Sequence, residues 1–281
     1  MEFTSTAGEQ RYAALVRAAA EAVVALDFDG TLAPIVDDPT RAHIHPDAAR
    51  VLVEVAAQVL AVAVITGRPA RQALDLGGLE DVGNAIAESG KDLHVFGQYG
   101  NERWSSTNRR VVGPRPPHGL ASFERELPRT LRRADAAEAF VEDKGLAVAV
   151  HTRRLDDSEA AFARLLPELR DLAARHDLVV EPGRSVIEVR SAGVHKGVAV
   201  QALVDELGVG AFLFAGDDLG DLEAFEAVKQ LADDGMPTLL VCSGSEEETA
   251  LVDRADVIVK GPDGVLELLA ALTDDARASR A

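Results

Sequence analysis

Val23-Val24-Ala25-Leu26-Asp27-Phe28-Asp29-Gly30-Thr31-Leu32 is an apolar run that ends in two aspartates one residue apart, followed at once by Gly-Thr. Four apolar residues bounded by turn formers read as a strand buried on both faces. Asp27 and Asp29 then fall at its carboxyl end, where open α/β sheets place their ligand crevices. Two carboxylates this close repel each other and resist desolvation, so they favour a cation between them. A bland turn after the strand is the competing reading of these residues alone. The rest of the chain decides between the two.

Similar apolar runs recur. Residues 59–65 read as a second buried strand, stopping at Thr66-Gly67-Arg68-Pro69, and residues 211–215 as a third, stopping at Gly216-Asp217-Asp218. Residues 238–242 and 256–259 suggest two more strands. Helical stretches at 46–58, 196–207, 219–231 and 264–272 lie between them, which implies a parallel sheet with covered faces. The middle of the chain differs. Residues 110–118 hold three prolines and read as a linker. A helix over 121–138, a strand over 145–151, a long helix over 156–176 and an alternating strand over 184–190 follow. Half-solvated alternation points to a small antiparallel or mixed sheet. The fold class expected is therefore α/β: a Rossmann-type parallel sheet built from residues 1–108 and 193–281, interrupted by an α+β insertion at 109–192. The tail from Asp274 to Ala281 reads as disordered.

Composition narrows the partners. The 281 residues are 47% hydrophobic and carry a net charge of −18. So acidic a surface argues against nucleic acid and anionic membrane, whose phosphates need clustered cations. A small phosphorylated substrate is still compatible, because a metal and a few local cations outweigh a distant field. The single cysteine, Cys242, fits a reducing compartment and reads as a small buried hydrophobe. No stretch approaches the roughly 18 apolar residues of a membrane helix. The first ten residues lack the basic-then-apolar order of a secretory signal. A cytoplasmic monomer is the expectation.

Each of three core strands thus ends in residues suited to phosphoryl transfer. Asp27 and Asp29 follow the first, Thr66, Gly67 and Arg68 the second, and Asp217, Asp218 and Asp221 the third, with Lys196 at a helix start just before it. Carboxylates, a hydroxyl, a fixed cation and an acidic metal site are the inventory that such chemistry needs. In this order the motifs resemble those of the haloacid dehalogenase superfamily of phosphatases. The resemblance implies a nucleophilic Asp27 that becomes an aspartyl phosphate and an Asp29 that serves as acid and base. It implies Mg2+ held among Asp27, the Asp29 carbonyl and Asp217, with Asp218 or Asp221 beside them. Thr66, Gly67, Arg68 and Lys196 would hold the phosphoryl group.

Within that superfamily the chain is similar to trehalose-6-phosphate phosphatases. The first motif runs on through Leu32-Ala33-Pro34-Ile35-Val36-Asp37-Asp38-Pro39, and the acidic motif through Leu222-Glu223-Ala224-Phe225. The insertion carries Glu142-Asp143-Lys144 and, later, Glu188. By resemblance these form an inserted cap that grips a sugar through Glu142, Lys144 and Glu188. Carboxylates and an ammonium do offer the acceptors and donors that a neutral disaccharide needs. One departure is Gly220, where the family usually has threonine. His151, His195 and the segment from Gly97 to Glu102 receive no role. The implied substrate is a sugar phosphate, trehalose 6-phosphate first, with another sugar phosphate or a non-catalytic regulatory module as alternatives. The same resemblance allows a trehalose-6-phosphate synthase as a partner on the acidic surface.

Overall fold

A computed structural model of the chain describes residues 2–36, 38–183, 185–244 and 249–280. Asp37 of the extended first motif, Arg184 of the expected last insertion strand, and the acidic cluster Glu246 to Glu248 lie outside them. The chain divides into two compact units, residues 1–113 with 195–281, and residues 114–194.

In the first unit, strands β1 (Glu2–Phe3), β2 (Ala22–Leu26), β3 (Ala61–Ile65), β4 (Leu93–Gly97) and β5 (Glu102–Ser105) belong to one sheet, which is completed by residues of the C-terminal half. In the second unit lie β6 (Phe140–Asp143), β7 (Val148–His151), β8 (Val179–Gly183) and β9 (Val186–Arg190). The first unit then resumes with β10 (Ala211–Gly216), β11 (Thr238–Ser243) and β12 (Val257–Val259). The helices are α1 (Thr6–Arg17), α2 (Ala48–Ala56), α3 (Ala70–Gly77), α4 (Leu79–Ala87), α5 (Leu120–Arg133), α6 (Ser158–Ala174), α7 (Lys196–Leu207), α8 (Leu222–Asp233), α9 (Thr249–Val252) and α10 (Gly261–Ala278).

The large sheet runs β1-β12-β11-β10-β2-β3-β4-β5, parallel throughout except at its two edge strands. Its central strands are apolar at every position because both faces are buried. Val24, Leu26, Val62, Val64, Leu213 and Ala215 face the core built with α1, α2, α4 and α10. Val23, Ala25, Ala63, Ile65, Phe212 and Phe214 face the core built with α7 and α8. That two-sided burial makes a parallel strand read as a continuous apolar run.

The two ends of the chain depart from the sequence reading. Of the expected disordered tail, Asp274 to Ala278 form the last part of α10. There Leu268, Leu269, Leu272 and Ala276 continue a buried stripe past the aspartates, and the Tyr12 hydroxyl donates to Asp275 at 2.7 Å. The polar start folds too. β1 pairs antiparallel with β12, and Ser5 caps α1 by accepting from the Gly8 N–H at 3.2 Å. Among the described residues no helix is long and apolar enough to cross a membrane.

The second unit is a four-stranded antiparallel sheet in the order β6-β7-β9-β8. Val148, Val150, Ile187 and Val189 pack on Phe123, Leu127, Leu165 and Leu169 of α5 and α6. By the alternation of strands, the opposite face carries Phe140, Glu142, His151, Glu188 and Arg190. The helix of 121–138 expected from sequence stops at Arg133, where Ala134 and the left-handed Asp135 turn the chain into β6.

Candidate active site

The carboxyl ends of β2, β3 and β10 sit side by side in the first unit, and they bring the predicted motifs together. The Asp27 N–H extends the β2–β10 ladder by donating to the Ala215 carbonyl at 2.9 Å. A tight turn follows, with the Gly30 N–H donating to the Ala33 carbonyl at 2.7 Å. Gly30 has φ +74°, and a methyl group there would lie 2.0 Å from an Asp217 carboxylate oxygen. Only glycine lets Asp217 come this close to the first motif.

Lys196, the first residue of α7, is 3% exposed. Its ammonium donates to Asp27 Oδ1, and to Asp221 Oδ1 at 2.6 Å. Asp221, fully buried, uses its other oxygen to accept the N–H groups of Asp217 at 3.0 Å and Asp218 at 3.3 Å. The acidic loop therefore folds around Asp221, which anchors Lys196.

Asp27, Asp217 and Asp221 each offer an oxygen within 4.8 Å of the others. Three buried carboxylates share one ammonium, and their protonation reflects the deficit. Burial, reinforced by the neighbouring aspartates, holds Asp27 well above the usual carboxylate range despite Lys196, and pushes Asp217 up to about 10. Burial also raises Asp221. For Lys196 burial acts to lower the pKa, but Asp221 and Asp27 outweigh it and the group is raised well above its ordinary value. A hard divalent cation would fit this oxygen-only donor set and supply the missing positive charge.

Two of the expected metal residues stand outside the triad. The Asp218 carboxylate caps its own turn, accepting from the Gly220 N–H at 2.9 Å. A side chain at Gly220 would put a carbon 3.0 Å from that same oxygen, so the glycine leaves room for the cap. The Asp29 carboxylate is held by Arg68, whose Nε and Nη2 donate to its two oxygens at 2.6 Å each. Arg68 also donates to the Pro39 carbonyl at 2.9 Å and lies 5.5 Å from the centre of the Phe28 ring. Expected on phosphate, Arg68 instead turns back onto the first motif. Thr66 is buried and accepts the Arg68 N–H at 3.1 Å. Its hydroxyl proton is thereby left to donate elsewhere.

In the second unit the sugar-binding candidates share the sheet face opposite α5 and α6. Lys144 donates to Glu188 Oε2 at 2.6 Å, and His151 pairs with Glu142 at 3.0 Å. Glu188 is 5% exposed, and its Oε1 is buried without a hydrogen-bond partner among the described residues. Arg190 lies 3.9 Å from that oxygen and 3.6 Å from Glu181. Sequence reasoning passed over His151 and Arg190. The signal was there in the two-residue periodicity, which puts Arg190 on the face of Glu188.

The family model of trehalose-phosphatase matches residues 25–257, spanning all of these positions. The chain belongs to the trehalose-phosphatase family. An uncharacterized glycosyl hydrolase of Mycobacterium tuberculosis is 36% identical over 217 residues, covering 73% of this chain but only 15% of that longer protein. A probable trehalose-phosphate phosphatase of Oryza sativa subsp. japonica is 30% identical over 265 residues, covering 90% of this chain and 69% of the relative. The fold matches the C-terminal domain of the Candida albicans trehalose-6-phosphate phosphatase with a TM-score of 0.75 at 22% identity, over 97% of this chain and 98% of that one. The fold is also similar to that of a haloacid dehalogenase-like hydrolase from Bacteroides thetaiotaomicron, with a TM-score of 0.60 at 17% identity over 89% of this chain and 98% of that one.

Proposed function

We propose that this chain hydrolyses trehalose 6-phosphate to trehalose and phosphate, with Asp27 as nucleophile. The observation that carries the reading is the buried cluster of Asp27, Asp217 and Asp221 around Lys196 at the ends of neighbouring parallel strands. Asp27 attacks phosphorus, the bond from phosphorus to the sugar oxygen breaks, and an aspartyl phosphate forms. Asp29 gives the leaving oxygen its proton and then takes one from the water that cleaves the acyl phosphate. Lys196 and the Thr66 hydroxyl neutralise and orient the phosphoryl oxygens. Mg2+, held by Asp27, Asp217 and the Asp29 carbonyl, would contribute charge neutralisation at the phosphoryl group when bound.

Glu142, Lys144 and Glu188 select the sugar. Glu188 Oε1 supports this assignment: among the described residues it accepts no hydrogen bond, with Arg190 standing 3.9 Å away, and a buried carboxylate oxygen in that state gains when a sugar hydroxyl donates to it. Substrate specificity is thereby assigned to the inserted unit.

Phosphate release from a panel of sugar phosphates, with magnesium and then with chelator, tests the reading. Turnover of trehalose 6-phosphate, lost with chelator and lost in Asp27→Asn, is the expected result. Preference for another sugar phosphate would overturn the substrate while keeping the chemistry. Silence across the panel from folded protein would favour a regulatory module.

A further inference from the structure

Residues 98–100 form a turn in which three successive residues have positive φ: 48° at Gln98, 60° at Tyr99 and 103° at Gly100. Glycine takes this conformation freely, whereas a glutamine and a tyrosine pay in steric strain of about 1–3 kcal/mol each. Such strain persists where the surroundings over-determine the backbone. Here the surroundings are parts of the phosphoryl site. The Gln98 N–H donates to the Arg68 carbonyl at 2.8 Å, and the Tyr99 N–H to the Thr66 carbonyl at 2.9 Å. Gly100 runs against α7, where a methyl group on it would lie 3.2 Å from Ala199 Cβ, one turn past Lys196. The turn is pinned between the loop of Thr66 and Arg68 and the helix that Lys196 begins.

This pinning decides where the Tyr99 ring goes. A methyl group on Gly67 would lie 2.7 Å from Tyr99 Cζ and 2.8 Å from its Oη, so the absent side chain makes room for the phenol. A methyl group on Gly220, in the acidic loop, would lie 3.9 Å from Cε1 of the same ring. The ring therefore spans two loops whose neighbouring residues are Thr66, Arg68, Asp218 and Asp221. It is only half-buried and belongs to neither hydrophobic core of its unit. Core packing does not account for a large aromatic side chain held on strained backbone at this edge.

An immobilised, partly exposed phenol offers a flat apolar face with a polar rim at little cost in conformational entropy. A pyranose presents the complementary surface, a face of C–H groups edged by hydroxyls. The geometry points to Tyr99 as a specificity-determining residue, the core-unit wall against which the sugar of the phosphate ester packs. The inference rests on the sugar-phosphate reading above, and it assigns a residue on the phosphoryl side instead of the inserted unit.

Selectivity tests it: the ratio of kcat/KM for trehalose 6-phosphate to that for acetyl phosphate, which has no sugar. Tyr99→Asn removes the ring with a residue that accepts left-handed backbone, and Tyr99→Phe keeps the ring. The ratio is expected to fall on the order of tenfold in Tyr99→Asn and to stay within about threefold of wild type in Tyr99→Phe. A ring that only braces the Thr66 loop would depress both substrates together. A ratio within about threefold of wild type in Tyr99→Asn, or an equal fall in both variants, would overturn the assignment. Should wild type prefer another hexose phosphate, the substrate reading fails separately, and the Tyr99 ratio is measured on that ester.

Discussion

Arg68 holds both carboxylate oxygens of Asp29, with Nε and Nη2 donating at 2.6 Å each across 39 positions of sequence. The guanidinium is 10% exposed while the carboxylate is 40% exposed, so the cation is the fixed partner and the acid is steered by it. A planar fork fixes orientation as well as distance, which a lysine cannot do.

Arg68→Lys should therefore lower kcat by roughly 10- to 100-fold through misplacement of Asp29, with a smaller change in KM. Asp29→Asn should cost about 10²- to 10⁴-fold. The decisive measurement is the double variant. If Arg68 works through Asp29, Arg68→Lys adds little loss in the Asp29→Asn background. A full additional loss would mean that Arg68 contacts the phosphoryl group itself.

Lys196 supports both fold and chemistry. Removing it leaves Asp27 and Asp221 buried around an uncompensated negative charge. Breaking a buried pair in this way costs about 3–5 kcal/mol. Lys196→Ala should unfold at markedly lower urea without magnesium and lose turnover. Asp221→Asn should lose stability as well, since Asp221 also accepts the backbone of its own loop. Unchanged urea midpoints in both variants would contradict the anchoring role given to this pair.

The three strand-end motifs were legible because a parallel strand covered on both faces announces itself as an apolar run, and polar residues just beyond it must lie at the sheet edge. α7 was legible from Lys196 to Leu207 for a related reason: it starts after Gly193 and ends at Gly208, whose φ of 64° closes it. β4 was harder, because His94 interrupts its apolar character and the strand ends at the sharp turn of Gln98 and Tyr99. α1 buries only Gly8, Tyr12 and Leu15, so its stripe is thin against a polar background. The pairing of Arg68 with Asp29 could not be read at all. It depends on the path of the loop after β3, set by the Arg68 N–H donating to the Thr66 hydroxyl and the Gln98 N–H donating to the Arg68 carbonyl. Local pattern carries no record of such long-range turns.

Gly30 tests how tightly the acidic loop is fitted to the first motif. Gly30→Ala would set a methyl group 2.0 Å from Asp217 Oδ2 and force φ +74° on an L-residue. The backbone cost exceeds about 1 kcal/mol, and the displaced carboxylate should lower magnesium affinity and reduce turnover by about 10²-fold. Titration of magnesium by calorimetry alongside kinetics checks both. Wild-type magnesium affinity in Gly30→Ala would show that Asp217 does not need this close approach.

The last prediction concerns pH. Without a cation, burial and then Asp27, Asp218 and Asp221 push Asp217 up to about 10 from an ordinary 3.8. The folded chain thus binds this proton more tightly than the unfolded chain does. Its contribution to stability is complete below the unfolded value of 3.8 and is lost as pH climbs toward 10. Asp27, raised by the same burial, acts in the same direction. The thermal midpoint of chelated protein should therefore drop steadily between about pH 6 and pH 9. Asp217→Asn removes the titrating group and should flatten that slope. Magnesium should restore the midpoint in wild type, most strongly at the alkaline end, and far less in Asp217→Asn, because a cation that binds only folded protein stabilises it according to its affinity. A chelated wild-type midpoint that is level or rising over this range would mean that the carboxylate triad is not short of positive charge.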